Sequence, residues 1–198
     1  MSVYANEQLT NEGYKFDYIS FGEINIKSLA SYSIKDATFA LDATDILKNQ
    51  FPISLDAIKA GISKVRIPCR FDIVSQNPLI IIDGAHNPES MQKLTKSLQK
   101  AYENQKINVV LACFKDKNIN SMLASIGQVA NKITLTTFDH IRARKKDDYF
   151  LYADEYEFVE DPKEAIALSK EEDAILVITG SLAFAGYIRN MFDKGEIK

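Results

Sequence analysis

Two rhythms of apolar and polar residues divide this chain near Arg66 to Arg70. Beyond that point, short apolar runs alternate with stretches whose apolar positions recur every three or four residues. Runs of the first kind fit strands buried on both faces, and the second kind fits helices. The pattern predicts strands at 71–75, 79–83, 107–113, 132–137, 156–159 and 174–179, and helices at 88–103, 119–130, 162–169 and 181–191. The break Gln76-Asn77-Pro78 is short enough for a hairpin, so the first two strands are expected to be antiparallel. The remaining alternation predicts an α/β fold with a mostly parallel sheet, one antiparallel strand and helices on both faces.

Before the boundary the pattern is sparser. Residues 14–26 read as one or two short strands. Residues 36–49 read as a helix with Ala37, Ala40, Leu41, Thr44 and Leu47 on one face. A second helix is expected at 54–64, with Ser54 as N-cap after Pro52. Two helices and a hairpin in so few residues make a thin core.

Composition narrows the function class. The 198 residues are 46% hydrophobic and 26% charged with a net charge of -3, ordinary for a globular protein and poor for a general nucleic-acid surface. The first thirteen residues are polar and lack an apolar signal core, and no apolar stretch approaches the roughly 18 residues of a membrane span. Cys69 and Cys113 show no metal-ligand spacing and read as reduced packing residues. A cytoplasmic protein with no nucleic-acid or membrane partner is expected.

Candidate chemistry gathers where the predicted strands stop. Asp83 and His86 follow one strand, Lys115, Asp116 and Lys117 a second, Thr136, Thr137 and Asp139 a third, and Thr179, Gly180 and Ser181 the last. Parallel strands bring such ends to one edge, where open α/β sheets bind ligands. A carboxylate such as Asp83 accepts from ribose hydroxyls, and an arginine such as Arg70 grips phosphate oxygens in pairs. Asn87-Pro88 and Ser181 read as helix starts, which supply amide donors for an anion. Each feature also has a plain structural reading: Asp83 as a turn cap, His86 as a loop histidine, Arg70 as a surface charge, Ser181 as an N-cap. The charges of Lys115, Lys117 and the Arg142 to Lys146 cluster read as solvated loops.

The order Pro68-Cys69-Arg70-Phe71-Asp72, LIIIDGAHNP at 79–88, Phe114-Lys115-Asp116-Lys117, Thr136-Thr137, Arg142-Ala143 and VITGSL at 177–182 resembles one family. It is similar to the C-terminal domain of folylpolyglutamate synthase/dihydrofolate synthase, in the Mur ligase superfamily, with DGAHNP the most specific piece. The resemblance spans 67–198 and implies a Rossmann-like domain. It extends weakly upstream, so residues 1–66 are expected to be a remnant of a central ATPase domain.

The resemblance implies an ATP-dependent, amide-forming ligase. ATP and a divalent cation such as Mg phosphorylate a carboxylate of dihydropteroate or a folate, and the amino group of glutamate attacks the acyl phosphate. Residue by residue, Arg70 matches the arginine that reaches the ATP phosphates, and Asp83 the aspartate on the nucleotide ribose. His86 matches the histidine beside ATP and the incoming glutamate, and Ser181 the serine on the glutamate side. Arg70 and His86 are thereby the implied catalytic residues. Cys69 stands where the family usually has glycine, Asp72 where glutamate is common, and Ile141 where proline often precedes Arg-Ala. Ser33 and Asp36 replace the family's Gln and Asn. No Gly-rich loop with Lys-Ser or Lys-Thr is present, nor the family's upstream metal ligands. The chain is therefore expected to be the C-terminal part of a ligase, with the ATPase domain as its partner, and inactive alone; the alternative is a non-catalytic nucleotide- or glutamate-binding module. The apolar face of the 36–49 helix is expected to fold back on the α/β domain, pair with another copy, or loosen.

Overall fold

The computed structural model describes residues 4–197. The chain forms two compact units, 1–66 and 67–198. In the first, β1 (Tyr4–Thr10), β2 (Gly13–Tyr18) and β3 (Gly22–Ile26) form an antiparallel meander in the order β1-β2-β3. The sequence pattern left β1 undetected because YANEQLT has no apolar alternation; most of it is exposed. Strand β2 alternates strictly, and Tyr14, Phe16 and Tyr18 face inward with Ile24 and Ile26 of β3.

Helix α1 (Tyr32–Leu47) covers that face with Ile34, Ala37 and Leu41. It begins four residues earlier than expected, and its register corrects the face read from sequence: Ala40 and Leu47 are exposed. The buried face is neither loose nor unpartnered, because the meander covers it. Helix α2 (Leu55–Lys64) starts at Ser54, whose side chain accepts the Ala57 amide at 3.2 Å.

The second unit is built on a six-stranded sheet of β4 (Asp72–Gln76), β5 (Leu79–Ile82), β6 (Lys106–Leu111), β7 (Lys132–Thr136), β8 (Glu157–Val159) and β9 (Ala174–Thr179). Its order is β4-β5-β9-β6-β7-β8, with β4 antiparallel to β5 and every other pair parallel. The last strand thus lies between β5 and β6. Helices α3 (Pro88–Ala101), α4 (Ile119–Ile126), α5 (Pro162–Ser169) and α6 (Leu182–Asp193) connect and follow the strands. Right-handed crossovers set α3 and α4 on the face opposite α5. Side chains two apart share a face, so Ile80, Ile82, Val110, Ala112, Leu176 and Ile178 pack with α5 and α6 through Ile166, Phe184 and Ile188.

The expected hairpin, parallel strands and helices are all present in this unit. Helix α4 stops at Gly127 rather than running to Ala130, and the 156–159 strand begins at Glu157. A 3-10 helix at Lys146–Tyr152, undetected in the sequence, carries the chain from β7 to β8. No described helix is long and apolar enough to cross a membrane.

Candidate functional site

The site begins with Asp83, immediately beyond β5. Its amide continues the ladder to the Ile178 carbonyl at 3.0 Å, and the next amide, Gly84, turns away to the Cys69 carbonyl at 2.8 Å. The Asp83 side chain is only 5% exposed. One carboxylate oxygen accepts the Phe71 amide at 2.8 Å and the other the Ala85 amide at 2.9 Å. A buried carboxylate needs such donors, and here they join the 67–71 turn to the β5–α3 loop.

That turn has unusual backbone geometry. Cys69 and Phe71 have φ of 60° and 48°, in the left-handed region that favours glycine. The Cys69 amide meets Asp72 at 3.1 Å, and the same Asp72 oxygen accepts from Arg189 Nε of α6 at 2.9 Å. The positive φ of Cys69 suits the glycine that the resemblance places before the motif arginine. Arg70 lies between these two residues and is exposed. Burial pushes the Cys69 and Cys113 thiols up, so both stay protonated and unreactive.

His86 is half-buried, and its Nδ1 lies 2.8 Å from the Gly84 carbonyl. A carbonyl only accepts, so Nδ1 is the donor of this hydrogen bond and Nε2 is left facing outward from it. Ser90 holds this residue in place, a role sequence reasoning missed. Its hydroxyl oxygen accepts the amides of His86 at 3.0 Å and Asn87 at 3.1 Å, while Asn87 Oδ1 accepts the Ser90 amide at 2.8 Å. The spacing Asn87-x-x-Ser90 is a capping-box signal that was legible in the sequence.

The β9–α6 loop closes on this turn. Gly180, at φ 115°, donates its amide to the Ala85 carbonyl at 3.1 Å. A Cβ on Gly180 would lie 2.5 Å from the Ala112 carbonyl oxygen, and one on Gly84 would lie 2.7 Å from Leu182 Cδ1. Ser181 is 1% exposed and caps α6, its hydroxyl accepting the Phe184 amide at 3.0 Å. Asp83, His86, Ser181 and the turn bearing Arg70 therefore converge at the β5–β9 edge.

The other strand-end groups form a separate assembly beyond β6 and β7. The strand order sets β7 three strands from β5, about 14 Å at the usual spacing. Arg142 pairs with Asp116 at 2.9 Å and lies 4.4 Å from the Phe114 ring centroid, while His140 packs on the same ring, tilted by 36°, at 4.8 Å. The Arg142 amide donates to His140 Nδ1 at 3.1 Å, so this Nδ1 is an acceptor where that of His86 is a donor. Lys115 pairs with Asp148 at 3.0 Å. Arg144 is half-buried rather than solvated: its guanidinium donates to the carbonyls of Asp148, Lys115 and Lys117 at 3.0 to 3.3 Å. The Arg142 hydrogen bond holds Asp116 below the usual carboxylate range, and the Lys145 amide does the same for Asp148. The Thr137 hydroxyl is buried without a partner among the described residues. A cleft of about 410 Å³ lies between β4 and the end of α6, lined by Ile73, Val74, Arg189 and Phe192 and by none of the candidate residues. Among the described residues, no cluster of three or more His, Cys, Asp or Glu is placed to hold a metal ion.

Comparisons with known proteins agree with this fold. Residues 69–182 match a family model described as Mur ligase, glutamate ligase domain. The dihydrofolate synthase/folylpolyglutamate synthase of Bacillus subtilis is 28% identical over 198 residues, covering 94% of this chain and 46% of the relative. The folylpolyglutamate synthase of Lacticaseibacillus casei is 24% identical, covering 93% and 45%. Among solved structures, Mycobacterium tuberculosis folylpolyglutamate synthase complexed with ADP and AMPPCP superposes with a TM-score of 0.84 at 23% identity, covering 96% of this chain and 48% of that one. The Thermotoga maritima folylpolyglutamate synthase gives a TM-score of 0.80 at 26% identity, covering 100% and 48%. The chain spans about half the length of the curated relatives it matches. With more than half of its residues under that family model, the chain belongs to the Mur ligases and carries their glutamate ligase domain.

Proposed function

We propose that this chain supplies the C-terminal half of an ATP-dependent ligase that adds glutamate to dihydropteroate or a folate through an acyl phosphate. The observation that carries the reading is the β5–β9 edge. There Asp83, His86 and the Arg70 turn are bonded into one surface, on a chain whose relatives are folylpolyglutamate and dihydrofolate synthases. Structures of two such proteins hold ADP, one with AMPPCP and one with DHPP. Residues 1–66 are read as the end of the central ATPase domain.

In this reading, each residue acts through the geometry described. The Asp83 carboxylate, held by the Phe71 and Ala85 amides, is the acceptor for a ribose hydroxyl. The Arg70 guanidinium binds phosphate oxygens with charge-assisted hydrogen bonds. His86 presents Nε2 toward nucleotide and glutamate. Ser181 acts on the glutamate side through the α6 start that it caps. ATP supplies the phosphoryl group that turns a carboxylate oxygen into a leaving group. Among the described residues no cluster of ligands is placed for the divalent cation. The second reading is a nucleotide- or glutamate-binding module without catalysis.

Titration calorimetry of ADP into the 198-residue chain tests the nucleotide side. Binding that Arg70→Ala weakens about tenfold or more is expected, the worth of a charged hydrogen-bond pair. No measurable binding would sink the assignment of this edge. In an enzyme completed by a phosphate-loop half, Arg70→Ala is expected to lower turnover ~100-fold. Unchanged turnover would remove Arg70 from the site, and binding without any restored turnover would favour the module.

A further inference from the structure

The turn that bears Arg70 is strained on both sides of that residue. Ile67-Pro68-Cys69-Arg70 closes with the Arg70 amide on the Ile67 carbonyl at 3.2 Å. Proline stands second and a positive φ third, the places a type II turn gives to proline and glycine. Cys69 and Phe71, at φ 60° and 48°, both adopt a backbone that disfavours a side chain. Such conformations persist only where the surroundings hold them. Here a carboxylate holds each flank. Asp83 accepts the Phe71 amide and is itself fixed by the Ala85 amide. Asp72 accepts the Cys69 amide at 3.1 Å, but it lies on the edge strand β4. The same Asp72 oxygen accepts from Nε of Arg189 at 2.9 Å. Arg189 reaches it from α6, about two turns past Ser181, and its Nη1 pairs with Asp193.

We propose that Arg189 is a positioning residue for Arg70. By holding Asp72 against the Cys69 amide, it keeps the 67–71 turn in the left-handed conformation that presents Arg70 at the β5–β9 edge. Burial and geometry favour this role over that of a surface ion pair. The Arg189 and Asp72 side chains are only 26% and 16% exposed, so solvent screens the pair less than it screens Arg142 and Asp116, each more than half exposed. A guanidinium donates from separate nitrogens in fixed directions, so one side chain holds Asp72 and Asp193 together. One Asp72 oxygen serves both Arg189 and Cys69, so without Arg189 the carboxylate is free to swing toward solvent and release the amide. The brace matters more in this chain because Cys69, not glycine, takes the positive φ. The effect of Arg189 on nucleotide rests on the reading that Arg70 binds phosphate; its effect on the turn does not.

Amide hydrogen exchange of the 198-residue chain, read at Cys69, Arg70 and Phe71, tests the brace without nucleotide. Arg189→Met is expected to speed exchange there about tenfold while the amides of β6 and β7 keep their rates. Adding Cys69→Gly to Arg189→Met should restore part of the protection, because glycine holds that φ without a brace. Asp193→Asn removes the other partner of Arg189 and should leave the turn unchanged. Arg189→Lys keeps the charge without the fixed fork and should give an intermediate loss; it is read in place of Arg189→Met if that variant does not fold. In ADP titrations Arg189→Met should weaken binding about fivefold. The double variant with Arg70→Ala should bind no worse than Arg70→Ala alone, since nothing is left to position. Unchanged exchange at the turn, faster exchange spread evenly over the sheet, no rescue by Cys69→Gly, or losses of ADP affinity that add in the double variant each overturns the proposal. ADP binding that is absent, or indifferent to Arg70→Ala, while the turn loosens as expected would instead overturn the phosphate reading and leave the brace in place.

Discussion

Asp83 illustrates how a single side chain serves structure and chemistry together. A neutral amide in its place would present an NH2 group to one of two backbone donors, Phe71 or Ala85. One amide would then lose its partner in a buried site. Asp83→Asn is therefore expected to lower the unfolding free energy by ~2 kcal/mol, measured by urea denaturation, besides any effect on nucleotide. An unchanged midpoint would mean that the carboxylate is not the brace described here. Cys69 shows the same coupling in the backbone. The motif around it could be read from the sequence, but the positive φ that explains the family's glycine could not. Nothing in the one-dimensional pattern reports that the turn must aim its amides at two carboxylates.

The β5–β9 edge is held by elements that touch with almost no clearance. Gly180 leads out of β9 at a positive φ, against the carbonyl of Ala112 beyond β6. Gly180→Ala must strain the backbone and displace that carbonyl at once. Its expected cost is about 3 kcal/mol or more, again from urea denaturation, and a cost below about 1 kcal/mol would contradict the close approach. Helix starts were readable where side-chain caps announce them, as at Asn87 and Ser181. Strand β1 and the 3-10 helix were not, because neither has an apolar period. The reading of the Arg142 to Lys146 cluster as solvated failed at Arg144. Its hydrogen bonds reach carbonyls nearly thirty residues away, which local composition does not encode.

At the scale of the whole molecule, ion pairs set a simple dependence on pH. Hydrogen bonds from Arg142, the Lys145 amide, Lys106 and Lys163 hold Asp116, Asp148, Glu171 and Glu196 below the ordinary carboxylate range. Their contribution is complete above the unfolded values near about 4 and is lost as pH falls through the lower folded values. Lys106 and Lys163 are raised by the same partners, so their contribution is complete below about 10 and is lost as pH rises past it. The urea midpoint should therefore be flat between about pH 5 and 9 and fall on either side. Because these pairs are exposed, 1 M salt should flatten both limbs. A midpoint that rises on acidification would contradict the pairing.

Periodicity, caps and the DGAHNP and TGSL motifs were enough, by themselves, to indicate the α/β class, the order of strands and helices after residue 70, and the family. These are local signals, written within a few residues of the feature they announce. The placement of the last strand between β5 and β6 depends on pairing between segments nearly a hundred residues apart. Ser181 turned inward as a cap, His86 and His140 took opposite hydrogen-bonding roles at Nδ1, and α1 kept Ala40 and Leu47 exposed for the same reason. Each outcome was decided by which distant backbone or side chain arrived beside the residue, and only tertiary packing determines that.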